Sequence, residues 1–264
     1  MFRKKKGFSL VELSVSILII GIIIIGIFAG DILIKKSRIS SARTMTQSSP
    51  VNSMKSLSFW FESSMEDSFD SSELDDGVAI TTWYDKTSVS VTKNNATQAI
   101  SDNKPTFANS INRIHAVAFD GTDDYFNVDA SFLNGSDYTI FVVDKRTSAK
   151  ADNYFIGDST VDTENENLIL GYSAEGVVTH YQAGDNSYIS SVPVYDGGSN
   201  EPKIYVFRHA SSSGKTTYIN GMLAATSNDT ANLSNISTIA IGKAYAGELG
   251  EIIAFDKALG GQDR

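Results

Sequence analysis

Hydrophobic patterning divides the chain into two textures. From Phe8 to Gly30 nearly every position is apolar, and Glu12 is the only charge. At ~1.5 Å rise per residue this run spans roughly 35 Å, enough to cross a hydrocarbon layer about 30 Å thick. The following stretch, "DILIKKSRISSARTMTQSSP", keeps Ile32, Leu33, Ile39 and Met45 among polar residues. It predicts that the helix continues to about Gln47, since Pro50 disfavours helix at the residue before it. A helix from Phe8 to Gln47 is roughly 60 Å long.

Beyond Pro50, short apolar runs rich in β-branched and aromatic residues alternate with clusters of Gly, Asn, Asp and Ser. The runs are "SLSFWF", "VAITTWY", "IHAVAF", "YTIFVV", "NLILGY", "GVVTHYQ", "KIYVFRHA", "TTYI", "MLAAT", "STIAIG" and "GEIIAF". Runs of this length with turn residues between them predict an all-β sandwich or barrel. Asn220-Gly221 in "YINGML" predicts a type I′ turn between two strands. No long amphipathic helix is predicted after residue 60, and no repeat of fixed period is present.

Composition narrows the functional classes. The 264 residues carry a net charge of −9. Setting aside Arg3, Lys4, Lys5 and Lys6 leaves 18 basic residues against 31 acidic ones from Gly7 onward, about −13. Such a surface argues against nucleic acid or anionic lipid as partner of the β-rich part. There is no cysteine, which removes thiolate catalysis, Cys-ligated zinc and disulfides together.

The opening run is longer than the roughly 7–15-residue apolar core of a secretory signal, and no small-x-small site closes it. A membrane helix is the better reading. The basic cluster "RKKK" ends at Gly7, where a peptidase on the cytoplasmic face can reach it. A lone carboxylate in lipid costs on the order of 3 kcal/mol, so Glu12 implies a partner. The nearest one in chemistry is the α-amino group that cleavage between Gly7 and Phe8 creates on a neighbouring copy. Gly26 and Gly30 form G-x-x-x-G, a small-residue face on which helices pack closely.

"KGFSLVELSVSILIIGIII" resembles the N-terminus of type IV pilins, minor pilins and the pseudopilins of type II secretion. The resemblance covers about 25 residues. It implies cleavage after Gly7 and methylation of Phe8 by a prepilin peptidase. It also implies that Glu12 pairs with a neighbour's N-terminus during filament assembly. Lys35, Lys36 and Arg38 flank the far end of the run almost as basically as Arg3–Lys6 flank the near end, so charge alone leaves orientation open. The family reading puts the N-terminus inside and the β-rich part outside.

The β-rich part is similar, at several separated points, to the laminin-G-like, concanavalin A-like jelly rolls of bacterial surface proteins. "SLSFWFESS", "DGVAITTWYDKTSVSVTKNNATQA", "KPTF", "AVAFDGTDDYF", "YTIFVVDK", "TTYINGMLAAT" and "GEIIAFDKALGGQDR" carry that order across about 57–264. The expected fold is a long membrane-spanning α-helix followed by a two-sheet antiparallel jelly-roll sandwich. The expected organisation is a leader over 1–7, a transmembrane and assembly helix over 8–50, and the sandwich over 51–264.

Candidate chemistry in the sandwich is sparse. Glycosidases of this fold place carboxylates at alternating positions of one strand. "DTENE" offers Asp162, Glu164 and Glu166, but in a polar stretch that reads as a loop of solvated acids. "FDGTDDY" brings Asp120, Asp123 and Asp124 around a glycine, hard oxygen ligands suited to calcium, or else a turn with acids facing water. Asp70, Glu73, Asp75 and Asp76 are similarly ambiguous. His115, His180 and His209 are scattered and read as structural. "SSSGKTTY" lacks the first glycine of a phosphate loop and precedes a strand, so it reads as a hairpin loop. Trp60, Trp83 and Tyr84 suit either sugar stacking or the core, and Trp60 and Trp83 lie in strand-like runs that favour the core.

These features lead to three expectations. The first is a minor pilin or pseudopilin of the bacterial inner membrane that passes to a pilus or the cell surface, partnered by prepilin peptidase and other pilins, its sandwich binding a glycan or surface protein. The second is a structural pseudopilin of a secretion or DNA-uptake apparatus with no ligand of its own. The third and weakest is a surface glycosidase; the chain is expected not to be an enzyme.

Overall fold

The computed structural model describes residues 9–88, 92–158, 160, 163–174, 177–182, 189–190 and 201–261. Gly7, Phe8 and Asp162 lie outside them. Helix α1 (Leu10–Gln47) runs unbroken and buries none of its residues. It is long and apolar enough to cross a membrane. A 3-10 turn (Pro50–Ser53) follows, with Pro50 at its first position as predicted for a helix break.

The strands are β1 (Leu57–Glu62), β2 (Thr82–Trp83), β3 (Ala96–Thr97), β4 (Thr106–Ile111), β5 (Ile114–Asp120), β6 (Phe126–Asp129), β7 (Tyr138–Arg146), β8 (Asn153–Ile156), β9 (Leu168–Ala174), β10 (Val177–Gln182), β11 (Ile189–Ser190), β12 (Lys203–Ala210), β13 (Gly214–Ile219), β14 (Met222–Ser227), β15 (Thr238–Ile241) and β16 (Ala246–Phe255). They form two antiparallel sheets. One has the order β14-β13-β12-β7-β16-β5-β4, with β1 also on β16; the other runs β11-β10-β9-β8-β15-β6-β3-β2. Successive strands switch sheets from β5 through β8 and again from β14 to β16. This alternation buries both inner faces against each other and makes a sandwich. Along β7, Tyr138, Ile140 and Val142 point inward and are buried, as period-2 geometry requires. They meet Phe155, Leu170 and Tyr172 of the facing sheet in one core cluster.

Long β16 pairs with β7 on one flank and with β5 and then β1 on the other. The change of partner falls at a register shift between Leu249 and Glu251. A second, smaller core lies around Leu57, Trp60, Ile253, Phe255 and Leu259, capped by Val51 and Met54 where α1 enters the sandwich. Asn220 and Gly221 both have positive φ (49° and 78°), the backbone of the predicted type I′ turn between β13 and β14. Residues 211–213 of "SSSGKTTY" are the turn from β12 to β13. The run "VAITTWY" is mostly not strand: only Thr82 and Trp83 pair, because Val78 and Ile80 bond through single turn and bridge contacts to β4 and its approach.

Candidate functional site

Three regions bear on function. The first is the start of α1. Ser9 caps the helix with a reciprocal box: the Glu12 carboxylate accepts from the Ser9 N–H at 2.9 Å, and Ser9 Oγ accepts from the Glu12 N–H at 3.4 Å. Among the described residues the predicted assembly carboxylate therefore accepts from one exposed, local partner. A Cβ built on Gly26 or Gly30 meets nothing within 4 Å, so the G-x-x-x-G face is open for a neighbouring helix. The second half of α1 rests on the sandwich through Lys35, Ile39, Ala42, Arg43 and Thr46, which are half-buried at helical spacing. Arg43 donates to Ser64 O at 2.9 Å and pairs with Glu66 at 2.6 Å; Arg38 donates to Asn112 O, and Arg113 pairs with Asp31.

The second region is the turn after β5. Asp120, Asp123 and Asp124 each bring a carboxylate oxygen within 4.8 Å of the others, a set able to hold a metal ion. Asp124 is buried, and burial first, then the charges of Asp120 and Asp123, push its carboxyl up to about 6. Burial also works to raise Asp120, but the backbone N–H groups of Thr122, Asp123 and Asp124 outweigh it and hold that carboxyl low. By contrast, the second acidic cluster disperses. Asp70 accepts from Tyr84 Oη, Glu73 from the Thr81 N–H, and Asp76 from the Asn109 N–H, so these acids tie loops together.

The third region was not foreseen. On the outer face of β6 and β15 a groove of about 370 Å³ has Asn127, Thr238 and Ala240 at its base. Tyr125, Lys243, Asp158, Glu166, Asn167 and Asn235 also line it. Lys243 pairs with Asp158 and stands 5.7 Å from the centroid of the Tyr125 ring. Asn235 Nδ2 donates to Glu166 Oε1 at 2.8 Å, and Asn167 Nδ2 to Asp158 O at 2.7 Å. Glu166, read from sequence as a solvated loop acid, is half-buried beside this groove, whereas Glu164 is exposed.

Trp60 and Trp83 are core residues at 2% and 0% exposure, which removes them as a sugar-stacking platform; half-exposed Tyr84 is tied to Asp70. His180 and His209 are buried around Tyr138, whose hydroxyl lies 2.8 Å from His180 Nε2. His115 is partly buried, and burial followed by the charges of Arg43 and Lys35 lowers its imidazole to about 4. A buried polar set absent from the sequence reading centres on Asp144, which accepts from Tyr172 at 2.5 Å and from Tyr245.

Residues 2–28 match the family described as the prokaryotic N-terminal methylation motif. The chain thus carries a prepilin-type N-terminus ahead of a β-sandwich. No curated protein matches in sequence. Among solved structures, the chain is similar to domain 4 of an extracellular arabinanase from Geobacillus stearothermophilus, solved with arabinotriose. That match has 14% identity and a TM-score of 0.54, and covers 78% of this chain and 95% of that one. A Trypanosoma rangeli sialidase solved with sialic acid matches at 15% identity and TM-score 0.54, over 80% of this chain and 32% of its own. The receptor-binding domain of botulinum neurotoxin D matches at 14% and 0.56, over 81% and 52%. The chain therefore spans about a third of the sialidase and half of the toxin domain. At these identities the likeness is one of fold.

Proposed function

We propose that this chain is a minor pilin or pseudopilin, built into a filament by α1 and displaying its sandwich outside the cell for recognition of a glycan or surface protein. The observation that carries the reading is α1 itself. It is an apolar helix with no buried residue, and the carboxylate in its apolar run, Glu12, has among the described residues only the local partner of a helix cap. Matching residues 2–28 to the methylation motif supports removal of the leader at Gly7 and modification of Phe8 by prepilin peptidase in the inner membrane. A neighbour's α-amino group at Phe8 then offers Glu12 an ion pair in place of the cap bond.

Recognition, not catalysis, suits the sandwich. Its fold is shared by an arabinanase domain solved with arabinotriose, and Glu166 is already held by Asn235. Calcium at Asp120, Asp123 and Asp124 fits the same reading, since all three ligands are hard oxygens. Glu12→Val is expected to leave membrane insertion and leader cleavage intact while reducing incorporation into filaments. Unchanged incorporation overturns the pairing. A head that binds nothing on glycan or cell-surface arrays favours the purely structural pseudopilin, and polysaccharide turnover abolished by Glu166→Gln establishes the glycosidase.

A further inference from the structure

We propose that the groove over β6 and β15 is a binding site for a short, uncharged oligosaccharide. The proposal rests on the reading of the sandwich as a recognition module and names the surface that does the recognising.

Three properties lead to that ligand class. First, the groove offers hydrogen-bonding capacity that the fold does not consume. The side chains of Asn127, Ser237 and Thr238 line it and bond to no other described residue. An amide and two hydroxyls supply donors and acceptors at once, the complement of a vicinal diol. Asn127 and Thr238 share this face because they alternate with Phe126, Val128 and Ile239, which are buried on the other.

Second, its charges are largely spent on one another. Lys243 is paired with Asp158, which leaves Glu166 as the acid of the described lining without a cationic partner, itself accepting from Asn235. A residual negative charge in a chain of net charge −9 repels uronates, sialates and phosphates. It does not disfavour a neutral sugar, whose hydroxyls can donate to the carboxylate.

Third, the apolar part of the lining is small. It consists of the half-buried Tyr125 ring, with the Lys243 ammonium 5.7 Å from its centroid, and the largely buried side chains of Ile236, Ile239 and Ala240, which leave little aliphatic surface in the groove. One aromatic ring and a thin apolar floor suit the C–H patches of a pyranose or furanose ring better than an aliphatic peptide anchor. The volume, about 370 Å³, falls at the lower end of small-ligand sites, roughly 300–1,000 Å³, and matches a short oligosaccharide.

The test uses the full chain purified in detergent. It is applied to an array of neutral and acidic glycans, and the strongest neutral oligosaccharide is then titrated against the wild type, Asn127→Ala, Thr238→Val and Glu166→Lys. The expected result is binding to neutral glycans, weakened at least tenfold by Asn127→Ala and by Thr238→Val with melting temperatures unchanged, since both side chains are exposed. Glu166→Lys is expected to bring in acidic glycans that the wild type rejects. Neutral binding indifferent to Asn127→Ala and Thr238→Val overturns the groove while leaving recognition standing elsewhere on the head. Selective binding of acidic glycans overturns the assignment of class. Silence across the whole array overturns both the groove and glycan recognition, and leaves filament incorporation through Glu12 to be judged by its own assay.

Discussion

Replacing Glu251 by Gln is expected to make the head more stable at neutral pH and to flatten its pH dependence. Glu251 sits on β16 beneath α1, in the groove lined by Ala42, Met45 and His115. Burial first raises its carboxyl to about 7 from an ordinary 4.5; the Trp60 Nε1–H bond at 2.6 Å opposes this, and the charge of Glu62, its cross-strand partner, adds to it. Glu62 is anchored by the N–H groups of Ser64 and Met65, at 2.7 and 3.0 Å. His115, neutral down to about 4, supplies no compensating charge above that pH.

Because the folded chain holds this proton more tightly than the unfolded one, stability is greatest below about 4.5 and falls as pH rises through about 7. The interval corresponds to roughly 3 kcal/mol at ~1.4 kcal/mol per pH unit, and the solvent-facing part of the side chain reduces this to about 2. Glutamine keeps an acceptor for Trp60 and removes the charge. Urea unfolding of residues 31–264, which retain the half of α1 that packs on the head, measures the effect. The variant is expected to match the wild type near pH 4 and to exceed it by about 2 kcal/mol at pH 8. A variant less stable than the wild type at pH 8, or a wild type with no excess slope between pH 4.5 and 7, refutes the reasoning.

Two other outcomes test the sandwich. Gly242→Ala places a Cβ 2.1 Å from the Phe119 ring at a φ of +84°. It is expected to cost about 3 kcal/mol, a fall in melting temperature of roughly 10 °C by calorimetry; a fall within error would show that Phe119 yields freely. If Asp120, Asp123 and Asp124 hold calcium, the ion at about 100 times its Kd adds ~2.7 kcal/mol to unfolding. Asp124→Asn should remove that gain, and acidification below about 6 should weaken it as Asp124 takes a proton. An identical melting temperature in calcium and in chelator dismisses the ion.

The parts legible in sequence are those whose signal is local. Short runs of β-branched and aromatic residues between turn clusters mark β7 and β12, an uninterrupted apolar run marks α1, and Asn220-Gly221 marks its turn. Short β8, "NYFI", and two-residue β3 escaped because so few residues carry no periodicity. Asp144 and Arg146 continue the inward face of β7, and nothing in their own segment marks them as buried; Tyr172 and Tyr245, distant in sequence, supply the partners that make it possible. The groove was hidden for a related reason. Tyr125, Asp158, Glu166 and Lys243 are distant in sequence, and each alone looks like an ordinary loop residue.

The chain's passage from α1 into the sandwich has a mechanical consequence. If the chain is built into a filament as proposed, tension arriving along α1 passes through the covalent chain into the head at Leu57. Five residue pairs, from Leu57–Phe255 to Glu62–Glu251, tie that first strand to the last, and the small core around Trp60 and Leu259 seals the joint. Force is thereby passed at once to the longest strand, β16, which β7 and β5 brace on either flank. With no disulfide to serve as a tether, that seam shares the load with the contacts of α1 on the head, Arg43–Glu66 and Asp31–Arg113 among them, and substitutions in the seam should lower the force at which the head tears open.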